Sequence, residues 1–131
     1  MFNLSDLRHF YGSETFTAHP LSGGTLIYTT GVKFVLENGA EGKDDTAHWM
    51  LDVIWSYQMD QMIKGSEDLG QFQVWKFKKT PSGGIRISLE DGNSNEVLHQ
   101  DEPYTDFCQD EMTFWVGDNG RGRTVYLPSE H

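Results

Sequence analysis

His48 and Asp52 stand four residues apart in a stretch rich in helix formers, so their side chains share one helical face. That spacing suits an acid–base pair or two ligands of a metal ion. Trp55 follows on the same line, and His48, Asp52 and Trp55 together mark an expected pocket. Two polar groups do not complete a site, and the third has to arrive from outside the helix; His9 and His19 are the upstream histidines. The competing reading is a pair on a solvated helix surface. Asp91-Gly92-Asn93-Ser94-Asn95-Glu96 resembles the opening of a calcium loop, and Glu102 falls where that loop ends. Its sharp turn requires glycine where this chain has Glu96, so a β-turn with Asx-type bonding explains the same residues. Cys108 lies among carboxylates, which suppress the thiolate a nucleophile needs. The pairs Gly23-Gly24 and Gly83-Gly84 fit no phosphate-binding spacing and read as turns. No catalytic set, metal site or cofactor is expected from these groups.

The largest chemical signal is electrostatic. Nine acidic residues lie between Ile87 and Gly120 with no Lys or Arg among them. They are Glu90, Asp91, Glu96, Asp101, Glu102, Asp106, Asp110, Glu111 and Asp118, in a chain of formal charge -10. Tyr104, Phe107, Met112, Phe114, Trp115 and Val116 are threaded through them, which a solvating tail would lack. A folded negative surface is expected, and two readings of it stand: a solvated face that keeps a small aromatic-rich protein soluble, or carboxylates that meet a positive partner. Direct nucleic-acid binding is disfavoured, since phosphates need clustered Lys and Arg. The basic clusters Lys76-Lys78-Lys79 and Arg121-Arg123 both lie near turn signals.

Elements to position these groups follow from hydrophobic periodicity. Ser5 to Phe10 reads as a helical turn capped by Ser5. Thr15–His19 and Thr25–Thr29 read as extended segments around a Pro20–Gly24 turn. Thr30 caps an expected helix from Gly31 to Glu37, ended by Asn38-Gly39. A long helix follows, with Asp44 and Asp45 before it, Met50, Val53, Ile54 and Tyr57 on its core face, and Lys64-Gly65 closing it. Strands are expected at Phe72–Lys79, Ile85–Glu90, Glu96–Gln100, Met112–Val116 and Thr124–Leu127, in a meander with turns between. The reading is one α+β domain, with an antiparallel sheet of about five strands in the C-terminal half. One long and one or two short N-terminal helices pack on it. The single cysteine leaves no internal disulfide framework. No apolar run approaches the roughly 18 residues of a membrane span, and the first residues lack a signal-peptide pattern. A cytoplasmic setting is expected.

Several local patterns recur together: Met1-Phe2-x-Leu4-Ser5-Asp6-Leu7 with Phe10, Gly12-Ser13-Glu14, Gly31-Val32-Lys33 and Trp49-x-Leu51-Asp52-x-Ile54. Gln73-Val74-Trp75-Lys76, Glu90-Asp91-Gly92-Asn93 and Val125-Tyr126-Leu127-Pro128-Ser129-Glu130 complete the set. Across nearly the whole chain they resemble a family of small acidic bacterial proteins known only as a domain of unknown function. The resemblance implies a single α+β domain, a bacterial host cell and an origin often on plasmids or phages. It carries no activity to any residue.

The leading expectation is a non-enzymatic acidic interaction protein. Its partner would be a basic protein surface, such as that of a nucleic-acid-handling host-defence protein that it inhibits. Tyr104, Phe107 and Trp115 are the expected interface anchors, as aromatic residues often are. The alternative is a small-molecule-binding domain or enzyme using the pocket near His48, Asp52 and Trp55. A third reading is a homo-oligomer packed through an apolar helix face.

Overall fold

The computed structural model describes residues 16–42 and 46–130. Ser5 to Phe10, His9, Thr15, Asp44 and Asp45 lie outside them, as does the side chain of Met62.

Alternation of apolar and polar residues makes the strands, and it does so on one sheet. Phe16–Ala18 (β1), Leu26–Thr29 (β2), Phe72–Lys79 (β3), Ile85–Glu90 (β4), Glu96–Glu102 (β5), Glu111–Asp118 (β6) and Arg123–Tyr126 (β7) are ordered β1-β2-β7-β6-β3-β4-β5. The sheet therefore has seven strands and is mixed, where five antiparallel ones were expected. Leu26 pairs with Arg123 and Tyr28 with Val125 in parallel, which joins the N-terminal hairpin to the last strand. Nor is it a meander. β3 lies between β6 and β4, so the chain crosses over after β5. Such long-range pairing leaves no trace in local alternation.

Among the described residues four helices pack with the sheet: Thr30–Asn38 (α1), Trp49–Gln58 (α2), Gln61–Lys64 (α3) and Glu67–Gln71 (α4). The expected long helix is interrupted at Met59-Asp60. Asp60 offers its carbonyl to the N–H groups of Ile63 and Lys64 and so starts a new turn, the role Asp prefers over a helix interior. α1 is capped by Thr29, not Thr30: the Thr29 hydroxyl accepts from the Val32 N–H at 3.3 Å and donates to Glu130 at 2.6 Å. Glu130 also accepts from the Gly31 N–H, placing a carboxylate at the positive end of the helix. The residue that follows α1 is Gly39, where a side chain has no room. A Cβ would lie 2.6 Å from the Val35 carbonyl and 3.0 Å from the Phe107 ring.

Trp75, Phe77, Ile85, Ile87, Leu89, Phe114, Val116 and Val125 form the sheet side of the core, and Val32, Val35, Leu36, Met50, Leu51 and Ile54 the helix side. Each such fully buried side chain contributes roughly 1.5–3 kcal/mol. One polar cluster lies within it. The Gln58 and Gln73 amides bond each other reciprocally at 3.0 and 2.9 Å, and Gln73 also takes the Trp75 indole N–H at 2.8 Å. Their remaining N–H bonds go to the Ile54 and Leu69 carbonyls, so α2, α4 and β3 are joined with no polar side-chain atom unpaired.

Candidate functional site

Strand pairing divides the acidic residues into two groups. Glu90 lies opposite Val74 and Glu96 at one end of the sheet, where Asp91 and Asp118 also fall. Glu102 lies opposite Ile85 at the other end, with Asp101, Asp106, Asp110 and Glu111. Five residues of β4 separate the ends, about 17 Å at 3.3–3.4 Å per residue. The backbone positions of the acids thus fall at two ends of the sheet, and the Arg86 side chain spans between them to reach both Glu96 and Asp101.

Cations from outside the acidic stretch reach several of them. Lys76 pairs with Glu90 at 3.1 Å, and Arg86 with Glu96 at 3.4 Å and Asp101 at 3.8 Å. Asp91 is committed to its turn: it accepts the Asn93 N–H at 2.8 Å and the Asn95 N–H at 3.0 Å, which hold its carboxyl below the ordinary value of 3.8. The β-turn reading of this segment thus describes the structure. Asp118 accepts from the Gly120 N–H in the same manner. Glu102, Asp106, Asp110 and Glu111 remain, with no Lys, Arg or His partner within ion-pair distance among the described residues.

Two of these acids border a cleft. Glu102 and Asp106 line it with Tyr104 and Thr105; Trp49 and Val53 of α2 form one wall, and Ile85 and Ile87 the floor. Its volume is about 280 Å³. The loop carrying Tyr104 is tied down on both sides. The Thr105 N–H donates to the Gly83 carbonyl at 3.1 Å, the Asp106 carbonyl accepts from Glu41 at 2.8 Å, and Phe107 forms a β-bridge with Ala40. Tyr104 itself is 77% exposed.

The other expected anchors go elsewhere. Phe107 is fully buried in the core, so it cannot anchor a partner; its ring adds apolar burial to the hydrogen bonds that hold the loop down. Trp115 lies on the sheet face away from this cleft, edge-to-face with Phe72 and Tyr126 at 5.5 and 6.0 Å.

The helix pair is also rearranged. Asp52 bonds His19, not His48, with 2.9 Å between Oδ1 and Nε2. His19 is only 2% exposed, and its Nδ1 accepts the Leu21 N–H at 3.2 Å, which places the proton on Nε2. Both ring nitrogens are therefore occupied, and the imidazole stacks on Trp55 with centroids 5.3 Å apart. His48 stands at the start of α2 without a capping bond. No group of three or more His, Cys, Asp or Glu able to hold a metal occurs among the described residues. Cys108 is partly buried, its thiol 3.7 Å from the Asn38 carbonyl.

Trp49 was legible only as part of a helix, and nothing in the sequence placed it beside Tyr104. A second cleft, of about 410 Å³, lies past the C-terminal end of α2 and is lined by Trp55, Met59, Lys64, Arg121 and Arg123 among others. Arg121 and Arg123 stood out as a basic pair in the sequence; Lys64 read only as a helix end.

Fold and clefts together define a small α+β protein with a mixed sheet backed by helices on one face, carrying two surface clefts of opposite charge. The chain belongs to the family of unknown function DUF6876, which it matches over residues 1–131. It is also similar to a protein of unknown function from Enterococcus faecalis seen in a crystal structure. That likeness has a TM-score of 0.56 at 20% identity, covers 82% of this chain and 90% of the other, and speaks to the fold alone. No functionally curated protein matches the chain. No helix among the described residues is long and apolar enough to cross a membrane.

Proposed function

We propose that this is a non-enzymatic interaction protein that takes a basic segment of a protein partner into the Trp49–Tyr104 cleft. The observation that carries the reading is the convergence of Glu102 and Asp106, neither ion-paired among the described residues, with Tyr104 and Trp49, the Glu102 carboxylate being held by the Gln100 amide at 2.8 Å. A Lys or Arg side chain fits this chemistry at each point. Its methylene stem lies against the half-buried Trp49 and Val53, its charge meets the carboxylates, and the aromatic faces attract the cation. The volume of about 280 Å³ accommodates one inserted side chain. The remaining charge of the protein draws such a partner in from a distance. A nucleic-acid-handling host-defence protein presents basic segments of this type, and occupying them would inhibit it.

The test is titration of an Arg-rich peptide into the protein and into charge-reversed variants. Glu102→Lys and Asp106→Lys are expected to weaken binding about tenfold each, and Tyr104→Ala by a similar factor. Glu96→Lys makes the same change in net charge at the far end of the sheet and is expected to do much less. Equal losses from both ends would show that only the overall charge matters and would defeat the cleft.

A further inference from the structure

We infer that the second cleft is a binding site for a phosphate-bearing small molecule with a planar ring, of the size of a mononucleotide. Cations in so acidic a protein ordinarily find carboxylates, and Lys33, Lys76, Lys79 and Arg86 each do. Lys64, Lys78, Arg121 and Arg123 have none within ion-pair distance among the described residues, and three of those four line this one cleft. They come from three elements: the end of α3, the β6–β7 turn and the first residue of β7. No Asp or Glu among the described residues is in the lining. Asp118, opposite Arg123 in the strand register, directs its carboxylate to the Gly120 N–H instead. Arg123 is steadied by donating from Nε to the Gly70 carbonyl at 3.4 Å, which leaves its terminal nitrogens for an anion.

The apolar wall supplies the other half of the ligand. Trp55 and the 60% exposed Met59 line the cleft beside the cations. Trp55 is held in place from behind. His19 stacks on it, and His19 is fixed by Asp52 on one ring nitrogen and by the Leu21 N–H on the other. The His19–Asp52 pair is thus a positioning device for Trp55 and not an acid–base couple. At about 410 Å³ the cleft falls within the range of small-molecule sites. A nucleic-acid strand is a poor occupant, because the net charge of -10 repels a polyanion but only mildly opposes one phosphate group.

Nitrogen-15 NMR of the full chain distinguishes the possibilities, with adenosine monophosphate, adenosine, inorganic phosphate and a short single-stranded oligonucleotide as separate probes. The mononucleotide is expected to shift the Trp55 indole N–H and the Arg121 and Gly122 amides. It should bind about tenfold more tightly than adenosine or phosphate alone, since each lacks one half of the contacts. Arg121→Gln and Lys64→Gln, both at exposed positions, are each expected to weaken it about tenfold while leaving the remaining spectrum intact. Three results would overturn the inference: no shift at millimolar mononucleotide, shifts that survive both substitutions, or phosphate alone binding equally well. Tighter binding of the oligonucleotide would replace the small-molecule reading with a nucleic-acid one.

Discussion

Replacing Gln73 by Leu tests whether the buried amide cluster holds the helices to the sheet. Gln73 is completely buried, and its side chain serves three neighbours at once: the Gln58 amide, the Trp75 indole N–H and the Leu69 carbonyl. Leucine preserves the volume but leaves those groups without partners in a site water does not reach. Each stranded group costs about 1–3 kcal/mol, and the extra apolar surface of Leu returns a part of it. The net expectation is a loss of about 3 kcal/mol, or roughly a hundredfold in the folding equilibrium. In urea, with a slope of about 2 kcal/mol per molar, the midpoint should fall by about 1.5 M with the slope unchanged. Circular dichroism in the far and near ultraviolet follows the change, the latter through Trp75. The double variant Gln58→Leu/Gln73→Leu should be less destabilised than the two single losses added together, because it removes both amides from the cluster, with a coupling of about 1–2 kcal/mol. A Gln73→Leu protein within about 0.5 kcal/mol of the parent, or strict additivity in the double variant, would refute the assignment of a cooperative network.

Phe107→Ala should destabilise by about 3–5 kcal/mol, as loss of a fully buried aromatic does, whereas Tyr104→Ala should stay within about 0.5 kcal/mol of the parent. Thermal unfolding of both variants decides whether these neighbouring aromatics divide between core and surface as described. For Asp91 the sign follows from its lowered pKa: it adds stability above the unfolded carboxyl value near 3.8 and loses it as pH falls through the lower folded value. An NMR titration of its side-chain carbon should show a midpoint below 3.8, and a midpoint at or above that value would contradict the turn geometry.

The strands were legible because alternation is local. Ile85, Ile87 and Leu89 had to face one way and Arg86, Ser88 and Glu90 the other, wherever the strand went. Five strand positions, the Asx turn at Asp91 and the inward placing of Met50 and Ile54 on α2 follow from neighbours within a few residues, whereas Val53 and Tyr57 are only partly buried and Leu51 and Gln58 complete the buried face. The break at Asp60 did not, since apolar periodicity runs on through Met59 and Met62 and only the return of the chain to the sheet requires a turn there. The partner of Asp52 was equally hidden. His48 is the histidine four residues away on the helix, but His19 is brought against it by the β1–β2 turn, 33 residues distant along the chain.

Composition and local pattern alone determined an α+β protein with a large excess of acid, most of it in one basic-free stretch. What that stretch means was decided only by tertiary structure. Pairing of β4 with β5 sets Arg86 beside Glu96 and Asp101, and pairing of β3 with β4 sets Lys76 beside Glu90, so cations outside the stretch quench part of it. The same pairing sends the rest to opposite ends and leaves Glu102 and Asp106 beside Tyr104 and Trp49. Coulomb interactions depend on distance in space, and strand register fixes that distance while sequence separation does not.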